Sequence, residues 1–133
     1  MEFHDYPQVA HEGMNQAHEE FVRLLNNAEQ ELLMGGEFCA HLDKLYKHCV
    51  AHFSQEEAET LANHCPNYRT HQQEHERVLQ LIRDQMEYYE KTQYDESALE
   101  FVEETLPQWF IMHLNARDKA TAQFLHQRKE RAA

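Results

Sequence analysis

The sequence predicts an all-α protein: an up-down-up-down antiparallel four-helix bundle with an extended N-terminal arm. Three observations predict it. Three glycines and three prolines in 133 residues leave little turn chemistry for a strand architecture. Four stretches of about 20–30 residues repeat their apolar positions at steps of three and four, the helical period. The breaks between them are short, which favours antiparallel neighbours.

Residues 1–11 contain Pro7 and no clear period, and are expected to form an arm laid on the bundle. The first helix, roughly 12–34, carries Met14, Ala17, Phe21, Leu24, Leu25, Ala28 and Leu32. Gly35-Gly36 ends it. The second, roughly 37–62, carries Phe38, Leu42, Leu45, Cys49, Phe53 and Leu61. Pro66 cannot sit inside a helix, so residues 63–67 form a break. The third, roughly 67–91, carries Val78, Leu79, Ile82, Met86 and Tyr89. Residues 92–97 are polar and offer Asp95 and Ser97 as N-caps. The fourth, roughly 96–129, carries Leu99, Val102, Leu106, Trp109, Phe110, Leu114, Phe124 and Leu125. Pro107 lies within it, predicting either a kink or a fresh start with Thr105 as N-cap. The length, 133 residues, fits one domain.

Composition excludes several classes of function. A net charge of −12 argues against binding a nucleic-acid backbone or an anionic membrane surface. No run approaches about 18 apolar residues, so no membrane span is expected. The start, Met1 to Pro7, has neither the basic nor the apolar region of a signal peptide. Cys39, Cys49 and Cys65 make no CxxC and no even framework, and are expected to be free thiols in a reducing compartment, the cytoplasm. No HExxH peptidase motif, phosphate loop or nucleophile elbow occurs.

Histidine is the anomaly: eleven residues spread from 4 to 126. Their spacing selects a subset. His52 and Glu56 are four apart, as are His71 and His75, and such pairs share a helix face. His113 and Asp118 are five apart, about 140° on a straight helix, so a π-bulge or the lateral reach of the carboxylate must bring them together. His18 falls within the apolar stripe of the first helix. Burying five imidazoles and two carboxylates without partners costs several kcal/mol each, and metal is the economical partner in a bundle core. A set without thiolate suits iron better than structural zinc. If Glu56 and Asp118 each bridge two six-coordinate ions and one oxygen is shared, about one of about twelve positions stays open, the vacancy a small gaseous ligand needs.

His48 forms a second H-x3-H with His52 and is the rival ligand, read here as a rim residue because the set closes without it. Glu57, about 100° round from Glu56, is read as a solvated surface residue. Trp109, Leu114, Phe21, Phe53, Val22 and Phe110 are core residues of which some must line any pocket; Trp109 and Leu114, within a turn of His113, are the best candidates.

Taken together, His18, His52-Phe53-Ser54-Gln55-Glu56-Glu57, Pro66 before His71-x3-His75, and Trp109-x3-His113-x4-Asp118 resemble the hemerythrins, specifically the bacterial single-domain members, over roughly residues 14–125. The resemblance implies a non-haem di-iron site. His71, His75 and His113 would hold one iron, His18 and His52 the other, with Glu56, Asp118 and an oxo or hydroxo group bridging. It implies reversible O2 binding at the iron with the vacancy, for storage, delivery or scavenging. The alternatives are an O2 or redox sensor acting on a partner in trans, and a di-iron enzyme acting on peroxide or nitric oxide. The chain departs from the family pattern at Asn15, Phe21 and Cys65, where Asp, Leu and Tyr are frequent, and lacks the Trp-x3-Tyr opening of many members. These departures bear on pocket shape and O2 affinity and touch no ligand.

Overall fold

The computed structural model describes residues 1–2 and 6–132. Residues 3–5, part of the expected arm and including His4, lie outside the described residues. Among those described, regular structure is entirely helical.

Helix α1 spans Glu12–Leu33. Its cap is His11, an extended residue whose ring nitrogen Nδ1 accepts from the Met14 amide at 3.1 Å. An imidazole here does what Ser or Asp usually does, satisfying one of the free amides of the first turn. Met14, His18, Phe21, Val22, Leu25, Ala28 and Leu32 form the buried face. The chain leaves through Gly35, whose φ of +72° any side chain would oppose.

Helix α2 spans Phe38–Ala62 and buries Phe38, Leu42, Leu45, Cys49, Phe53, Glu56 and Thr60. This is one stripe at steps of three and four, and its chemistry changes from hydrocarbon to carboxylate along its length. Leu61, expected in that stripe, is 57% exposed, and Thr60 is buried instead. Helix α3 spans Tyr68–Thr92 and makes the reverse change, from His71 and His75 to Val78 and Ile82. It ends at Gln93, which takes a left-handed conformation and returns its amide to the Tyr89 carbonyl at 2.8 Å.

The fourth helix runs over residues 95–132. Its N-cap is Tyr94, not Asp95 or Ser97; Asp95 sits in the first turn, where a carboxylate favours the helix dipole. Two π-helical turns interrupt it, Phe101–Thr105 and Leu114–Asp118. The first decides between the two expectations at Pro107, a kink or a fresh start, against the fresh start. Thr105 stays in the right-handed helical region, so the helix does not start afresh there. The Leu106 amide instead reaches back five residues to the Phe101 carbonyl. A widened turn just before the proline eases the clash of its ring with the preceding turn, and the helix runs on.

Helix α1 packs along α2, α2 along α3, and the start of the fourth helix returns to both α1 and α3. The arrangement is consistent with a four-helix bundle. Phe38, Leu42, Leu45, Val78, Ile82, Val102 and Leu106 fill the hydrocarbon end of its core. Ahead of α1, Val9 exchanges two bonds with the Asn15 amide, at 2.8 and 2.9 Å. Met1 exchanges two with Asn26, at 2.9 and 2.6 Å. No helix among the described residues is long and apolar enough to cross a membrane.

Candidate metal centre

Five of the seven expected groups converge most tightly. One donor atom each from Glu56, His71, His75, His113 and Asp118 lies within 4.8 Å of all the others, and all five residues are buried. His71 Nε2 lies 3.1 Å from both His113 Nε2 and Asp118 Oδ1, and 2.8 Å from Glu56 Oε1. Cis positions around an octahedral ion with bonds of about 2.1 Å are about 3.0 Å apart, so these separations match donors sharing one ion.

His18 and His52 approach from the other side of the carboxylates. His18 Nε2 lies 3.0 Å from Asp118 Oδ2, and His52 Nε2 lies 3.1 Å from Glu56 Oε2. Each carboxylate therefore divides its two oxygens. Glu56 turns Oε1 to His71 and Oε2 to His52. Asp118 turns Oδ1 to His71 and His113, and Oδ2 to His18.

The π-turn Leu114–Asp118 makes this possible. One residue inserted into the turn rotates Asp118 back toward the face of His113, and their side chains meet at 3.1 Å. This is the π-bulge anticipated from the five-residue step.

Directionality points to a missing partner at the centre. Both Glu56 oxygens and His75 Nε2 are fully buried, yet none has a hydrogen-bond partner. The imidazoles of His71 and His52 stand 2.8 and 3.1 Å from the Glu56 oxygens without aligning on them, as expected where lone pairs aim at a shared point rather than at each other. Buried polar atoms in natural proteins rarely go unpaired, and oxygen and imidazole donors in this set fit iron or a similar divalent ion.

Electrostatics follow. Burial alone would raise the Glu56 carboxyl, but the imidazoles of His52 and His71 outweigh it and hold it at about 2. The same contest at Asp118, with His113, His18 and His71 facing its burial, leaves it well below the usual carboxylate range. His71 is buried too, yet Asp118 and Glu56 raise it to about 9. Burial takes His75 down to about 3. The metal-free centre thus keeps two carboxylates ionised, with a proton on His71 and none on His75.

A second layer of side chains fixes the histidines. His75 Nδ1 bonds Glu57 Oε2 and His113 Nδ1 bonds Glu74 Oε2, both at 2.9 Å, while Arg117 Nε donates to Glu74 Oε1 at 2.9 Å. Thr121 Oγ1 stands 3.4 Å from His71 Nδ1. Phe53 stacks on His75, with centroids 3.9 Å apart, and Trp109 on His113, at 4.6 Å. Glu57 corrects the expectation of a solvated surface residue. A position about 100° from the core face of a bundle helix borders the neighbouring helix, and here that neighbour presents His75. Glu74, Arg117 and Thr121 were missed altogether; only the Glu immediately before His75 was available as a signal.

His48 stays outside the cluster. It bonds the Ala17 carbonyl at 3.1 Å and stacks parallel to His52, a rim position. His11 is neither ligand nor plain surface residue: besides capping α1 it bonds Glu59 at 2.9 Å.

A small cavity of about 20 Å³ lies beside His18 and His52, walled by Phe21, Phe53, Trp109 and Phe110. It holds about one water-sized molecule. Leu114 and Val22 are buried in the core but do not line this cavity, which departs from the expectation for Leu114. Phe110 stacks on Phe21 with centroids 4.7 Å apart and meets His18 and Tyr6 edge-on. Phe110→Ala is expected to cost about 3–5 kcal/mol in denaturant unfolding, as large-to-small core changes do. A loss under about 1 kcal/mol would show that the ring is not packed as described.

Fold and centre together define the class: an all-helical protein with a buried cluster of imidazole and carboxylate groups suited to metal. The chain is similar to the protein named Bacteriohemerythrin from Ralstonia nicotianae, at 32% identity over 113 residues, 84% of this chain and 78% of that relative. It belongs to the hemerythrin family, as a bacterial hemerythrin-like protein. No family model matches the sequence. No solved structure matches it.

Proposed function

We propose that this protein binds two iron ions and uses them to hold O2 reversibly, for storage, delivery or scavenging. The observation that carries the reading is the division of the Glu56 and Asp118 oxygens between two groups of histidines. His71, His75 and His113 face one oxygen of each pair, while His18 and His52 face the others. We read the two carboxylates as bridges, three histidines as ligands of one ion and two as ligands of the other. The bound pair would supply redox-active iron with one exchangeable position. The chain supplies the rest. The rings of Phe21, Phe53, Trp109 and Phe110 give the side of His18 and His52 a largely apolar lining with space for a small molecule. Short connections and the neighbour order of the helices support an up-down antiparallel bundle, one domain in extent. Three free thiols fit a reducing compartment such as the cytoplasm. No acidic or basic side chain beyond the ligands and His48 lines the cavity, which favours carriage over turnover.

Quantified iron with visible spectra, taken in air and after O2 removal, tests the proposal. The expected result is two irons per chain and an absorption band that bleaches without O2 and returns on readmission. One ion per chain, or a colour that does not return, would sink it.

A further inference from the structure

The two groups of histidines differ in what stands behind them. On one side, the outer nitrogens of His75 and His113 each meet a carboxylate at 2.9 Å, Glu57 and Glu74, and that of His71 faces the Thr121 hydroxyl. On the other, His18 Nδ1 is buried with no hydrogen-bond partner. Behind His52 stands the stacked ring of His48, with centroids 6.1 Å apart. Among the described residues no carboxylate pairs with the outer nitrogen of His18 or His52.

A carboxylate that accepts the outer N–H of an imidazole does three things. It fixes the tautomer that leaves Nε2 free to bind, holds the ring plane, and strengthens the nitrogen as a donor. His75 shows the outcome directly: its Nδ1 is committed to Glu57, and its Nε2 is buried, unpartnered and next to Glu56. Losing such a partner commonly weakens metal binding 10- to 100-fold.

We propose that Glu57 and Glu74 are positioning residues that make the ion among His71, His75 and His113 the firmly held member of the pair, leaving the ion beside His18 and His52 as the exchangeable one. The inference rests on the two-ion reading above. It also ranks the two residues. Glu74 shares its charge with Arg117, whereas no Lys or Arg among the described residues pairs with Glu57. Glu57 is therefore the stronger support.

The test is release of Fe(II) from the fully loaded protein to a chelator in excess, without O2. The wild type is expected to release its ions in two phases of equal amplitude. His18→Gln, loaded the same way, keeps one ion and releases it at the slow rate, which assigns the phases. Glu57→Gln, nearly the same shape without the charge, speeds the slow phase about 10- to 100-fold and leaves the fast phase within about threefold. Glu74→Gln does the same to a smaller degree. Glu57→Asp, which keeps the charge, releases its slow ion at a rate between those of the wild type and Glu57→Gln. Circular dichroism of the metal-free variants separates lost positioning from lost fold, and the Asp variant decides the matter should the Gln variant not fold. Release of both wild-type ions in one phase would overturn the inference, as would an unchanged slow phase in Glu57→Gln or equal acceleration of both phases. Loading below two ions per chain shows before any chelator is added; that result overturns the two-ion reading, and this inference with it.

Discussion

Glu56→Ala is expected to purify without either metal ion and to melt more than about 10 °C below the loaded wild type. The carboxylate stands between both groups of histidines, so its loss would remove a donor from each ion of the proposed pair at once. Ligands bound only by the folded state stabilise it by mass action, about 4 kcal/mol for an ion present at a thousandfold its dissociation constant. For a chain of this size each kcal/mol moves the midpoint by a few degrees. The comparison must also be made with both proteins metal-free. There the gap should shrink, because the wild type has lost the same ions. Asp118→Ala should behave alike, since its two oxygens divide in the same way. Full iron content and an unchanged midpoint in either variant would remove that carboxylate from the centre.

Withdrawal of metal should expose a pH dependence that the loaded protein lacks. In the metal-free chain His71 is raised to about 9 by Asp118 and Glu56 against its burial. A raised histidine stabilises the fold fully below the ordinary value near 6.5, and that contribution fades as pH climbs through 9. His75, lowered by burial to about 3, acts in the opposite direction: its contribution is present above 6.5 and is lost as pH falls toward 3. Glu56, held at about 2 against its burial by the nearby imidazoles, gives up its share as pH falls from 4.5 toward 2. The metal-free midpoint should therefore peak near neutrality and fall between pH 7 and 9.5. With His71 a ligand as proposed, metal would take the place of its proton in the loaded protein, so that alkaline fall should be absent. The same exchange means that loading at pH 7 releases a proton and tightens as pH rises. Thermal melts of both forms across pH 6 to 9.5 check this. Parallel curves would show that His71 is not protonated in the metal-free centre.

Much of the architecture is legible in the sequence. The steps of three and four in α1, α2 and α3 placed those helices to within a residue or two, because an amphipathic stripe has one way to bury itself. His52 with Glu56 and His71 with His75 were legible for the same reason: four residues return a helix to the same face. The His113–Asp118 step named its own difficulty, and a π-turn resolves it. Pro107 left a kink and a fresh start both open, because the period of the fourth helix says nothing of how many residues a single turn holds.

What the sequence by itself determined is which side chains share a face, since helical geometry is local and repeats over a few residues. What only the tertiary structure decided is which faces meet. Glu57 and Glu74 become partners of His75 and His113 because neighbouring helices bring them within 2.9 Å, across 18 and 39 residues of chain. The division of the Glu56 and Asp118 oxygens is of the same kind. It depends on the angles and offsets at which four helices pack, and those are set by the summed fit of the whole core.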